Sequence, residues 1–138
     1  MIRDDAVGLY RAILNAKSSG IPKESLPAYF RVRMALKAVN DEFNDFLKEV
    51  TEQTKPEPFD DKPEQNKLWN DRRDAVIQEW ARETVEIDTR VLTFDTCVSF
   101  LAGQDLPGLY EDMILRFFVR EKSPDAAPKK PAAKKGNR

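Results

Sequence analysis

Tyr29, Val32, Leu36, Val39, Phe43, Phe46 and Val50 follow one another at steps of 3, 4, 3, 4, 3 and 4, and no proline or glycine interrupts the chain from Ala28 to Thr54. Apolar residues at this spacing fall on one narrow helix face, so the stripe dictates a long helix that buries one seam against another helix. Ser25 is a suitable N-cap, and Pro27 falls in the first turn, where a missing N–H does no harm. A helix from there to about Thr54 is roughly 43 Å long at ~1.5 Å per residue. A compact globule of this chain length is only about 35 Å across. The helix is therefore expected to span an elongated bundle or to project from it.

Its expected partner follows a break. Residues 55–63 hold three prolines, Pro56, Pro58 and Pro63, with Asp60 and Asp61 adding turn chemistry, and read as a linker. A further helix is predicted from about Glu64 to Thr84. Trp69, Val76, Trp80, Thr84 and Ile87 form its stripe, and Arg73 fills one slot. Charge sets the expected pairing. The long helix is basic early (Lys23, Arg31, Arg33, Lys37) and acidic late (Asp41, Glu42, Asp45, Glu49, Glu52); the next one runs from Lys67, Arg72 and Arg73 to Glu79, Glu83 and Glu86. Laid antiparallel, opposite charges meet. Residues 25–87 are thus expected to form an antiparallel hairpin, with Glu49 near Arg72 and Arg33 near Glu83 or Glu86.

The flanking segments complete an all-α reading. Asp4 and Asp5 are expected to cap a first helix carrying Val7, Tyr10, Ile13 and Leu14, which Gly20 ends before Ile21-Pro22. From Thr84 to Phe94 the chain turns β-branched. It reads as an extended connection, most clearly near 85–92, with no strand partner expected within the chain. Thr93 or Asp95 then caps a short helix whose apolar face is Phe94, Cys97, Val98 and Leu101, and Gly103 ends it. Asp105 and Pro107 open the last helix, with Tyr110, Met113, Ile114, Phe117 and Phe118 as its stripe. From about residue 121 the chain lacks apolar periodicity and reads as a disordered Lys/Ala/Pro tail. The expected organisation is one helical domain, 1–120, with a tail, 121–138.

Histidine is absent and Cys97 is the lone cysteine. These two facts exclude Ser-His and Cys-His dyads, imidazole or thiolate zinc sites and Glu-x-x-His di-metal helices. No Gly-rich phosphate loop is present either. The expectation is a non-enzyme without cofactor or metal. No run of about 18 apolar residues predicts a membrane span. Met1 to Asp5 lack the layout of a secretory leader. With a lone cysteine, this makes a reducing, cytoplasmic setting the expectation.

Several residues invite a functional reading beside a plainer one. Glu42, Asp45, Glu49 and Glu52 share a helix face, as metal ligands would, but helix spacing alone makes such a row, and a solvated or ion-paired face is expected. Trp69 and Trp80 on one stripe could stack bases or ligands, but 11 residues apart on one helix they face nearly the same way, as core packing requires, and core is the expectation. Cys97 sits in an apolar run without a base and reads as a small core residue. The tail differs: residues 121–138 carry six basic and two acidic groups, whereas the other 120 carry 17 basic and 22 acidic. Lys129, Lys130, Lys134, Lys135 and Arg138 are the candidate contacts to nucleic acid or an acidic partner.

Glu83-Thr84-Val85-Glu86-Ile87-Asp88, followed by Leu106-Pro107-Gly108-Leu109-Tyr110, closes a charged hairpin with an extended segment and a helical coda. This layout, over residues 25–118, resembles small helical proteins encoded among bacteriophage head and tail genes. The resemblance implies virion assembly or host interaction, and carries over no functional residues. The sequence therefore points first to a helical protein–protein interaction protein (assembly factor, adaptor or small chaperone) able to form a homo-oligomer, with no membrane partner. A nucleic-acid accessory protein working through the tail is the alternative.

Overall fold

The computed structural model describes residues 1–121, and these are all-α. Five helices follow in order: α1 (Arg3–Ile13), α2 (Leu26–Gln53), α3 (Pro63–Arg82), α4 (Phe94–Ala102) and α5 (Gly108–Phe118). Two 3-10 turns, Ser18–Gly20 and Lys23–Ser25, separate α1 from α2. Among the described residues, no helix is long and apolar enough to cross a membrane. The expected tail, 121–138, lies outside the described residues apart from Glu121.

The chain divides into two compact units. The first comprises Met1–Leu14 and Arg31–Ile87; the second comprises Asn15–Phe30 and, of the described residues, those from Asp88 to Glu121.

In the first unit the core is built by α1 and α2. Ala6, Val7, Leu9, Tyr10, Ala12 and Ile13 are buried on α1, and Val32, Leu36, Val39 and Val50 on α2. Helix α1 starts on Ile2 without a side-chain cap; Asp4 and Asp5 lie inside its first turn, where they face the positive end of the helix dipole. It ends at Ile13, earlier than the sequence suggests. Arg33 supplies the reason: its guanidinium donates to the carbonyls of Ile13 (2.7 Å) and Leu14 (3.0 Å), satisfying acceptors that a further turn would have used. Arg33 is therefore not beside Glu83 or Glu86.

Contacts from α2 to α3 run in opposite order along the two helices. Trp69 Nε1 donates to the Thr51 carbonyl (2.8 Å), while Trp80, 11 residues later, stacks on Phe46 and tilts against Phe43, with centroids at 5.5 and 5.3 Å. Phe43 and Phe46 are half-buried rather than fully enclosed. Val76 is 41% exposed and Thr84 lies beyond the end of α3, so the packed row is Trp69, Arg73, Ile77 and Trp80. Among the described residues no ion pair joins α2 to α3 directly.

The second unit has a core of its own. Tyr29, Leu92, Cys97, Phe100, Ile114 and Phe118 are each under 2% exposed. The Tyr29 ring lies 5.8 Å from both Phe100 and Phe118. Gly20 does not cap α1. It sits where a Cβ would stand 2.9 Å from the Phe100 Cα and 3.0 Å from the Ser99 oxygen, so the close approach of its turn to α4 requires glycine. Gln104 latches the same place: its amide donates to the carbonyls of Lys17 (2.6 Å) and Phe100 (3.1 Å) and accepts from Lys17 N–H (3.0 Å). Thr93 caps α4, its hydroxyl accepting from the Thr96 amide.

The segment after α3 does find partners. In the first unit Ile2 pairs antiparallel with Thr84; in the second Leu92 pairs parallel with Val119. The expectation of no partner fails because residues outside the helices, Met1-Ile2 and Val119-Arg120, offer free backbone edges. Thr89 adds a hydroxyl bond to the Phe117 carbonyl (2.7 Å).

Candidate interaction surfaces

Trp80 is the most heavily used side chain of the first unit. It is 7% exposed, and besides Phe43 and Phe46 it meets Arg3, whose guanidinium carbon lies 4.7 Å from the indole centroid. Arg3 also pairs with Glu42 (3.3 Å) and with Glu83, while Trp80 Nε1 donates to Glu42 (3.3 Å). One guanidinium thus joins α1, α2 and the residue after α3. Backbone bonds hold it there: Arg3 N–H to the Glu83 carbonyl (2.7 Å) and Val85 N–H to the Met1 carbonyl (2.8 Å). No sequence signal marks Arg3, because its partner Glu83 lies 80 residues away.

A smaller cluster closes the linker. Phe59 meets Trp69 edge-on (5.2 Å), and Lys55 Nζ lies over both rings, at 4.9 and 5.5 Å. Cation–π contact on partly exposed rings is worth about 0.5–1 kcal/mol. The linker therefore folds onto the start of α3.

The carboxylate row of α2 does not converge. Glu42 is engaged as above, and Glu49 accepts from Gln53 (2.9 Å). Among the described residues, no three Asp, Glu, Cys or His side chains gather to hold a metal ion. On the same helix Lys37 donates to Asp41 (2.9 Å), and this hydrogen bond raises its pKa above the ordinary lysine value. Cys97 is fully buried, and desolvation pushes its thiol up to about 11. A thiol so shielded stays protonated at neutral pH and is a poor nucleophile. Lys129, Lys130, Lys134, Lys135 and Arg138 all lie outside the described residues.

Large apolar side chains remain open. On α3 these are Leu68 and Val76; on α4 and α5 they are Phe94, Val98 and Leu109. Phe94 and Val98 stand outside the core although the apolar spacing suggested otherwise; Phe100 occupies the buried position instead, with Cys97 and Leu101. The signal was present: α4 carries apolar residues at two sets of helical positions, more than one buried face requires.

These features define an all-α protein with two compact units. Set beside known proteins, the chain matches no protein-family model, no curated protein and no solved structure.

Proposed function

We propose that this chain is a non-enzymatic interaction protein, an assembly factor, adaptor or small chaperone that works through helix surfaces. The observation that carries this reading is the set of large apolar side chains left open on α3, α4 and α5. The reversed order of the Thr51–Trp69 and Phe43–Trp80 contacts supports a long antiparallel hairpin as its scaffold. The layout resemblance suggests virion assembly as the setting.

The test is a pull-down from native lysate with and without nuclease. A protein partner retained after nuclease treatment is the expected result. Loss of all partners on nuclease treatment, or on deletion of residues 123–138, would favour the alternative, in which the basic tail contacts nucleic acid.

A further inference from the structure

Lys55 lies just beyond the C-terminal end of α2. It is exposed, yet its Nζ stands 4.9 Å from the Phe59 centroid and 5.5 Å from that of Trp69. Among the described residues it makes no hydrogen bond or ion pair, so the two rings are its partners. Other lysines of the first unit sit differently: Lys37, Lys62 and Lys67 each pair with a carboxylate. Those pairs are exposed and contribute little. The Phe59 ring meets Trp69 edge-on, and both are half-buried. The linker is fixed separately on either side of this contact. Pro56 is buried, the Asp60 amide donates to Gln65 Oε1 (3.2 Å), and Asn66 Nδ2 donates to Asp61 (3.1 Å). The strap left to the ammonium and the rings is therefore short, residues 57–59.

We propose that Lys55 is a charge-keyed modification site, at which acylation of Nζ releases Phe59 from Trp69. The acyl donor is a thioester. The ammonium gives one proton to water, and the resulting amine forms a bond to the thioester carbonyl carbon. The carbon–sulfur bond breaks, the sulfur leaves with the electron pair, and it takes the second Nζ proton to give a thiol. Acylation removes the positive charge that the ring faces attract and leaves the alkyl stem in place. Losing an exposed cation–π contact raises the open population of the strap by about 2–5-fold. Methylation keeps the charge and so leaves the strap closed. Opening bares the Phe59 and Trp69 rings next to Leu68, which is already exposed.

Native-state proteolysis of the full-length chain tests this. Chymotrypsin cuts after Phe59 only when the strap is open, and the rate follows the open population while reclosing outruns cutting. Mass spectrometry of the fragments reads that one bond. Lys55→acetyl-lysine and Lys55→Met, which keeps a stem without the charge, should each be cut about 2–5-fold faster than wild type. Lys55→Arg keeps the charge and should match wild type. Lys67→acetyl-lysine removes an exposed ion pair instead and should also match wild type. The melting temperature should hold throughout, because the change is local. A wild-type rate for Lys55→acetyl-lysine overturns the proposal. So does Lys55→Arg cut as fast as Lys55→Met, since charge is then not the key. Equal acceleration by Lys67→acetyl-lysine would reduce the effect to net charge and overturn it too. Should Lys55→Met lower the melting temperature, the contrast between Lys55→acetyl-lysine and Lys55→Arg decides.

Discussion

The two units hold themselves together by different means. In the second, six side chains from four segments are almost wholly shielded, and the backbone of one turn comes so near α4 that only glycine fits. In the first, α1 and α2 share an apolar core, but α3 is held chiefly by rings and a guanidinium: Trp80 on Phe43 and Phe46, with Arg3 across the indole. Of the side chains on α3, Trp80 alone is buried. Close packing punishes any change of volume, whereas a ring-and-cation clasp gives way by degrees and responds to salt. The comparison makes α3 the natural low-stability element.

The sharpest break comes from truncating one ring in each unit. Phe100→Ala should cost about 3–5 kcal/mol and Trp80→Ala about 3 kcal/mol, because the neighbours of Trp80 are already half open to water. Urea unfolding followed by circular dichroism measures both; a larger loss at Trp80 would invert the comparison. Gly20→Ala, a single added methyl, should cost about 1–3 kcal/mol through forced backbone movement at Phe100. A neutral result would mean that the turn can withdraw freely. Arg3→Ala should cost about 1–2 kcal/mol in low salt and less at 1 M NaCl, roughly the sum of a desolvated cation–π contact and exposed ion pairs. Arg3→Lys should recover only part, since an ammonium lacks the planar fork that reaches two carboxylates at once.

The smallest effect at neutral pH concerns Cys97. Its folded pKa is raised from 9.0 to about 11, so the folded state holds the proton more firmly than the unfolded state. The stabilisation is fully present below pH 9 and is lost as pH rises towards 11. Cys97→Ala should remove that loss from the alkaline stability profile. Thiol labelling of the wild-type chain should be slow until urea unfolds the second unit.

What the sequence discloses is local. The seam of α2 locates its helix to within a residue or two, and Thr93 and Gly103 bracket α4 as their chemistry suggests. Helical spacing carries this information, because each residue reports on neighbours three and four positions away. Spacing alone does not say which of two apolar faces on α4 is buried, and Phe100 was hidden for that reason. The two breaks in the charge argument have the same origin. Arg33 was drawn to Glu83 by complementarity of sign, yet it caps α1, and Glu83 is claimed by Arg3 from the other end of the chain. Surface charge pairs are too weak to dictate topology when a helix end offers unsatisfied carbonyls. The α3 stripe drifted for a related reason: Val76 and Ile77 are both apolar, and only the packing of Trp80 against Phe43 and Phe46 of α2 decides between them. The open row on α4 was legible as an excess of apolar positions, but its exposure depends on what the rest of the unit leaves uncovered.

Both tryptophans of the chain, Trp69 and Trp80, belong to the first unit. Intrinsic indole emission therefore reports on that unit alone, and from two depths: Trp80 shielded between rings, Trp69 half open beside the linker. The second unit, whose aromatics are tyrosine and phenylalanine, is silent in that channel. Emission excited at the red edge thus separates the clasp of α3 from far-UV ellipticity, which averages every helix, without any label being introduced.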